Sequence, residues 1–320
     1  MNRIAIVDPT SLVGKELRER LERRPELCRE ARLLSADENE VGTLTEVAGA
    51  AAFVGRLDEE SFDGVDLAFF CGGIDQDRPA LALCPAATPA VVLSRGAGAA
   101  DGRFAVAGVR PESWLGQPRL VSPHPAAIAL ALLLGRLDEL EPRRATATAV
   151  LPVSGAGQAA LDELFEETRG ILAFSGAPKG KHFPAQIAFN LLPAADDAGV
   201  AVEGARVALG ADYPLALALV QGGVFHGVAL ALHVELGAPV AAAELRRRLA
   251  RAPGVAAARD PRRLGPVAAA GEERLLLGDV RPSGVEGGFW IWATLDNLIR
   301  GGALNALALA ETLLGAPPPA

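Results

Sequence analysis

Cysteine, histidine and most aromatics are scarce in this 320-residue chain: three Cys, four His, three Trp and one Tyr. Cys28, Cys71 and Cys84 form no Cys-x-x-Cys pair, and no two histidines stand at ligand spacing. A disulfide scaffold and a structural zinc site are thereby excluded, and free thiols fit a reducing compartment, so the expected location is cytoplasmic. Positive charge is also in deficit. The 31 Lys and Arg against 39 Asp and Glu leave a net charge of −8, which argues against nucleic-acid or membrane partners. Long apolar runs are missing as well. Hydrophobic residues make up 50% of the chain, yet the longest clean run, Ala126–Leu134, falls far short of the ~20 residues that span a bilayer. Residues 1–7 lack a small-residue cleavage site and read as a buried strand rather than a secretory signal.

What is present is a change of texture along the chain. Up to about residue 121, apolar β-branched stretches (Arg3–Val7, Ala31–Leu34, Val65–Phe70, Pro89–Ser94) alternate with helical patterns (Leu12–Arg24, Asp77–Cys84). Strand–helix alternation implies parallel pairing with right-handed crossovers, hence a Rossmann-type doubly wound sheet. After Pro123 an Ala/Leu helix leads into stretches that alternate at period 2, Ala145–Val150, Leu215–Leu219 and Val228–Leu236, followed by Phe289–Trp292. These read as antiparallel-type strands with two unlike faces, one bulky and one mostly alanine, the latter suited to close approach of helices or of a second subunit. The expected fold class is therefore α/β, a doubly wound parallel sheet followed by a region with a mixed or antiparallel sheet. Three segments follow: 1–121, the Rossmann-type segment; 122–295, the central segment; and 296–320, a closing helix.

Four segments, in order, carry a family resemblance: the turn at Asp8–Gly14; Val153-Ser154-Gly155-Ala156-Gly157; Pro184–Asn190; and Asp296-Asn297-Leu298 with Gly302–Ala306. Together they resemble aspartate-β-semialdehyde dehydrogenase over nearly the full length. The resemblance implies an NADP-binding domain (1–121), a central α+β domain (122–295) that carries catalysis and dimerisation, a last helix (296–320) that returns to the first domain, and reductive dephosphorylation of an acyl phosphate through a cysteine thioacyl intermediate. A thiolate suits that chemistry because its thioester accepts hydride readily.

The parts such chemistry needs are replaced. The nucleophile of the family's Asn-Pro-Asn-Cys motif falls on Pro125, within Ser122-Pro123-His124-Pro125-Ala126. Its substrate-orienting Gln falls on Leu151, its substrate-binding Arg on Gln221 and its general-base His on Val228. Two surrogates are conceivable. Cys71 stands at a strand end beside Gly72-Gly73, and His226 lies two residues from the His position, a step that restores the same face within a strand.

The nucleotide turn is altered too. Where the family has Gly-Ala-Thr-Gly-Ala-Val-Gly, this chain has Asp8-Pro9-Thr10-Ser11-Leu12-Val13-Gly14. Glycines let backbone N–H groups approach a pyrophosphate, and only Gly14 is kept. The family's reader of the adenosine 2′-phosphate falls on Asp37, followed by Glu38. The residues left for cofactor contact are Thr10, Ser11, Gly14, Asp37, Gly72, Gly155 and Asn297. No cofactor is expected to bind tightly, and Asp37 favours NAD over NADP, since a carboxylate accepts from a ribose 2′-hydroxyl and repels a phosphate. The resulting expectation is a cytoplasmic homodimer resembling cysteine-less members of that family, which acts as a scaffold or regulatory partner of an active homologue or another biosynthetic enzyme. The alternative is an active NAD(P)-dependent oxidoreductase of amino-acid biosynthesis that uses Cys71.

Overall fold

The computed structural model describes residues 2–47, 49–176, 180–195 and 198–315. Met1 and the Pro-rich end of the chain, 316–320, lie outside the described residues. The chain divides into two compact units, one of Met1–His124 with Gly302–Ala320 and one of Pro125–Gly301.

The first unit is built on β1 (Asn2–Val7), β2 (Cys28–Ser35), β3 (Leu44–Val47), β4 (Ala50–Arg56), β5 (Leu67–Phe70), β6 (Ala90–Val92), β7 (Arg103–Phe104) and β8 (Arg119–Val121). Their order in the sheet is β3-β4-β2-β1-β5-β6-β8-β7. Every pairing is parallel except β3 with β4, an antiparallel pair in a stretch that carries no alternation strong enough to announce it. Helix α1 (Leu12–Leu21) begins at Ser11, whose Oγ accepts from Gly14 N at 3.0 Å, so the first turn is capped by side-chain oxygen. Helix α2 (Ile74–Leu83) begins three residues earlier than the sequence suggests, because Gly73 supplies an extended N-cap. Pro79 is therefore an interior residue of α2 and not one of its first turn.

Ile4, Ile6, Leu17, Leu21, Leu33, Leu67, Phe69, Val91, Trp114 and Leu120 form the core of this unit, closed by Ala306, Leu307 and Ala310 from the end of the chain.

The second unit contains β9 (Pro142–Leu151), β10 (Leu191–Pro193), β11 (Leu215–Gly222), β12 (Val228–Leu236), β13 (Val255–Ala257), β14 (Leu275–Pro282) and β15 (Gly288–Leu295), in the order β10-β11-β9-β12-β15-β14-β13. The sheet is mixed. One expectation is corrected: β11 runs parallel to β9, not antiparallel. Alternation reports which face is buried and is blind to strand direction, and here α4 (Gln158–Leu172) and α5 (Ala198–Leu209) lie between the two strands in sequence. Helix α3 (Pro125–Leu134) packs on β12, β15 and α5, while α6 (Ala242–Ala250) and the short α7 (Pro266–Ala269) pack on β14 and β15 respectively.

The two faces of this sheet differ as the alternation predicts for β12. Leu230, Leu232 and Val234 are buried with Ala145, Ala147, Ala149, Ile291 and Ala293. The opposite face carries two rows across the strands, Ala216–Thr146–His233–Trp290 and Ala218–Thr148–Ala231–Trp292. Its residues are exposed or half-buried, and Trp290 is 42% exposed.

The closing segment is not one helix from residue 296. Asp296 Oδ1 accepts from Leu298 N and Ile299 N. The chain then makes a wide π-type turn, Ile299–Ala303, in which Gly301 N donates to Asp296 O, before α8 (Leu304–Leu313) begins.

Candidate functional site

β1 is flanked by β2 and β5, and the connections leave it in opposite directions. The carboxyl ends of β1 and β5 thus form the topological switch point of the sheet, where open α/β folds place ligands. Asp8 follows β1 and Cys71-Gly72 follow β5. Asp8 has φ 54°, the left-handed conformation that glycine adopts at no cost and Asp tolerates.

The Asp8 carboxyl accepts from Ser35 Oγ at 3.1 Å and lies over Gly72. A Cβ at residue 72 would collide with Asp8 Oδ2 and stand 2.9 Å from Asp77 Oδ1, so two carboxyl groups converge where only glycine fits. Asp77 is fully buried, and its Oδ2 accepts from Gly72 N at 2.9 Å and from Ser94 Oγ. Burial pushes the Asp77 carboxyl up to about 7; the Ser94 and Gly72 donors oppose that shift and the neighbouring Asp8 adds to it. Burial raises Asp8 as well, while its contacts with Asp77 and the Ser35 hydroxyl oppose that shift.

The other switch-point residues are committed locally. Cys71 is buried, and burial, followed by the charges of Asp77 and Asp8, holds its thiol well above the ordinary range. A nucleophilic thiolate needs the reverse. Thr10 donates to Glu40, Ser11 caps α1 through Gly14 N, and Asp37 accepts from the backbone and side-chain amide of Asn39. Glu38 pairs with Arg56 at the surface.

In the second unit, the sheet register assembles residues that the sequence keeps far apart. Gln221 faces Leu151 across β11 and β9, and Ala229 faces Val150 across β12 and β9, which sets Val228 beside Leu151. Val228 faces Leu295. A Cβ at Gly301 would lie 3.0 Å from Leu295 Cδ1 and 2.7 Å from Pro125 Cβ. Pro125, Leu151, Gln221 and Val228 therefore occupy one neighbourhood. Leu151 and Val228 are buried, and Gln221 Nε2 donates to Leu151 O and Gly222 O, both at 3.2 Å. None of these four side chains ionises or attacks carbon. His226 lies in the bend before β12, so the two-residue strand period that would bring it to the face of Val228 does not operate there.

The motifs that match the family act as staples. Asn297 Oδ1 accepts from Gly227 N and its Nδ2 donates to Ser154 Oγ, each at 3.0 Å. Gly155 is exposed in the short turn Val153–Ala156, with open space around it. Buried Glu167 accepts from Ile187 N and Ala188 N at 2.8 Å. Within the first unit, Asn305 Oδ1 accepts from Ala107 N at 2.9 Å, while Nδ2 donates to Ala105 O and Ser122 Oγ. Sequence reasoning missed Asp77; its available signal is an acid in the first turn of a helix that follows a strand and two glycines. Among the described residues no group of three or more His, Cys, Asp or Glu could hold a metal ion, and no helix is long and apolar enough to cross a membrane.

Comparison with known proteins agrees with this architecture. Residues 133–300 match the family described as semialdehyde dehydrogenase, dimerisation domain. An aspartate-semialdehyde dehydrogenase of Rickettsia conorii is 27% identical over 332 residues, covering 97% of both chains. A USG-1 protein homolog of Azotobacter vinelandii is 32% identical over 331 residues, again with 97% of each covered. The crystal structure of aspartate semialdehyde dehydrogenase II from Vibrio cholerae superposes with a TM-score of 0.88 at 26% identity, covering 98% of each chain.

Proposed function

The chain belongs to the semialdehyde dehydrogenase family, and on that premise we propose that it is a non-catalytic member: a protein of aspartate-semialdehyde dehydrogenase architecture that works as a homodimeric scaffold or regulatory partner. One observation carries the reading. Strand register sets Gln221 and Val228 beside Leu151, Pro125 is linked to them through Gly301 and Leu295, and the positions that the resemblance assigns to the reaction thus hold a ring, two aliphatic side chains and an amide. Acyl transfer to a thiol needs nucleophile, base and substrate anchor together, and residues that act as a unit fail together. The switch-point turn does not fit a dinucleotide either, since the Asp8 carboxyl lies over Gly72 where phosphate oxygens would need backbone N–H groups. The environment of Cys71, raised by burial and by two acids, counts against a relocated nucleophile.

Three further aspects belong to the proposal. The open rows Ala216–Thr146–His233–Trp290 and Ala218–Thr148–Ala231–Trp292 meet a second copy of the chain, in keeping with the dimerisation-domain match. Three buried free cysteines suit a cytoplasmic setting. An active homologue or another biosynthetic enzyme is the partner that a catalytically silent dimer of this architecture serves. The test is turnover: purified protein with aspartate semialdehyde, phosphate and NAD or NADP gives no reduced nucleotide above the enzyme-free rate. Turnover that disappears in Cys71→Ser refutes the reading.

A further inference from the structure

Asp77 Oδ1 is buried without a hydrogen-bond donor, although Oδ2 of the same carboxyl takes two. What faces Oδ1 is the carboxyl of Asp8, across the Cα of Gly72. Two ionised carboxylates do not remain in contact in a buried crevice, whereas a single proton between them turns repulsion into a hydrogen bond and satisfies the orphan oxygen.

Among the described residues, the hydrogen-bond donors to the two carboxyls are neutral; the nearest cations are Arg18, whose charge acts on Cys71, and Arg95, whose backbone N donates to Gly72 O. Ser35 and Ser94 contribute neutral hydroxyls. Asp37 and Glu40, beyond β2, add negative charge near Asp8, and Glu40 is held by Thr10. Cys71 is buried with its thiol raised. Arg18 of α1 directs its donors to Pro9 O, Thr45 Oγ1 and Glu46 O.

We infer that Asp8 and Asp77 share one proton across Gly72, and that this acid pair is the resident occupant of the switch-point crevice, closing it to the phosphates of a dinucleotide. The inference deepens the nucleotide part of the function proposed above and rests on it. Asp8 enters at the position of the family's first turn glycine, in glycine's own backbone conformation, and Asp77 receives it from the first turn of α2. The crevice is filled from within.

Infrared titration of the full chain tests this. Ordinary aspartates lose their protonated C=O absorption near pH ~4. The wild type is expected to keep one protonated carboxyl band to near pH 7, in line with the raised Asp77 carboxyl. Asp77→Asn is expected to abolish that band, and Asp8→Asn to move its loss to lower pH, because burial continues to raise Asp77 when the neighbouring acid is gone. Both are isosteric, and each offers an Nδ2 donor to the remaining acid, so the turn is retained. Millimolar NAD or NADP is expected to leave the wild-type band unmoved. Absence of the band above pH ~5, its survival in Asp77→Asn, or its loss at an unchanged pH in Asp8→Asn overturns the shared proton; a band displaced by nucleotide overturns the occupancy. Turnover of aspartate semialdehyde with the band in place and unmoved would refute the non-catalytic reading alone, so the two failures are distinguishable.

Discussion

Pro125 and Gly301 are packed ring against backbone: a Cβ on Gly301 would stand 2.7 Å from the proline Cβ. Pro125 opens α3, where its missing N–H costs nothing, and Gly301 lies in the π-type turn Ile299–Ala303. The position that the resemblance assigns to a reactive thiol is thus held by a ring that fills space against a residue able to accept no side chain.

Gly301→Ala should therefore destabilise the protein by overpacking, on the order of 1–3 kcal/mol. Pro125→Gly, which removes the contacting Cβ, should recover part of that loss in the double variant, while Leu295 Cδ1, 3.0 Å from the same position, keeps the rest. Thermal denaturation of the single and double variants checks it, and strictly additive effects would show that the contact carries no energy.

Restoring the nucleophile alone should not restore chemistry. Pro125→Cys is expected to stay at the enzyme-free rate with aspartate semialdehyde, phosphate and NADP, because Leu151, Gln221 and Val228 still supply neither base nor anchor. Nucleotide absorbance with the substituted protein decides the point; a rate that rises with Pro125→Cys would mean that the other groups are dispensable.

Assembly should depend on the open sheet face. Trp290, beside His233 at a ring separation of 4.9 Å, is the largest exposed side chain of its row. Trp290→Arg should weaken the dimer by at least ~2 kcal/mol, the usual scale of an aromatic anchor, or about 30-fold in Kd. Light scattering across a dilution series reads this; a wild type that is monomeric at micromolar concentration contradicts it.

Stability should fall as pH rises toward neutrality. Asp77 has its folded value raised from 3.8 to about 7, so between those values the folded protein holds a proton that the unfolded chain has released. The contribution is complete below pH ~4 and is lost progressively as pH rises to ~7, amounting to about 4 kcal/mol at most. Asp77→Asn should flatten this slope and gain on the wild type at pH 8. Denaturant midpoints at several pH values measure both curves, and parallel curves would contradict the assignment.

Asn305→Ala should cost roughly 2–4 kcal/mol, because Ala107 N, Ala105 O and the Ser122 hydroxyl lose their partner in a buried site. The fall in Tm measures it. Asn305→Asp, which keeps an acceptor for Ala107 N but offers no amide donor to Ala105 O, should also destabilise.

Much of this was legible one residue at a time. The parallel strands around β1 follow from β-branched runs broken by helical spacing, and the unlike faces of β12 follow from Leu230, Leu232 and Val234 alternating with Ala231, His233 and Glu235. The β3–β4 pair escaped notice because Leu44 and Phe53, its paired large apolar residues, are exposed and leave no buried pattern. The π-type turn before α8 escaped because apolar spacing runs straight through it, while the caps that stop a regular helix come from the side chain of Asp296.

The sequence by itself determined that Pro125, Leu151, Gln221 and Val228 carry no group that ionises or attacks, whatever surrounds them, and that a carboxylate, Asp8, follows the first strand. Only the tertiary structure decided that Gln221 lies against Leu151 through a parallel ladder, that Pro125 is sealed by Gly301, and that Asp8 meets Asp77 over Gly72. The physical reason is common to all three. Each is a contact between residues distant in sequence, set by backbone hydrogen-bond register and by the burial of opposing faces, whereas periodicity along the chain reports only which face a residue occupies.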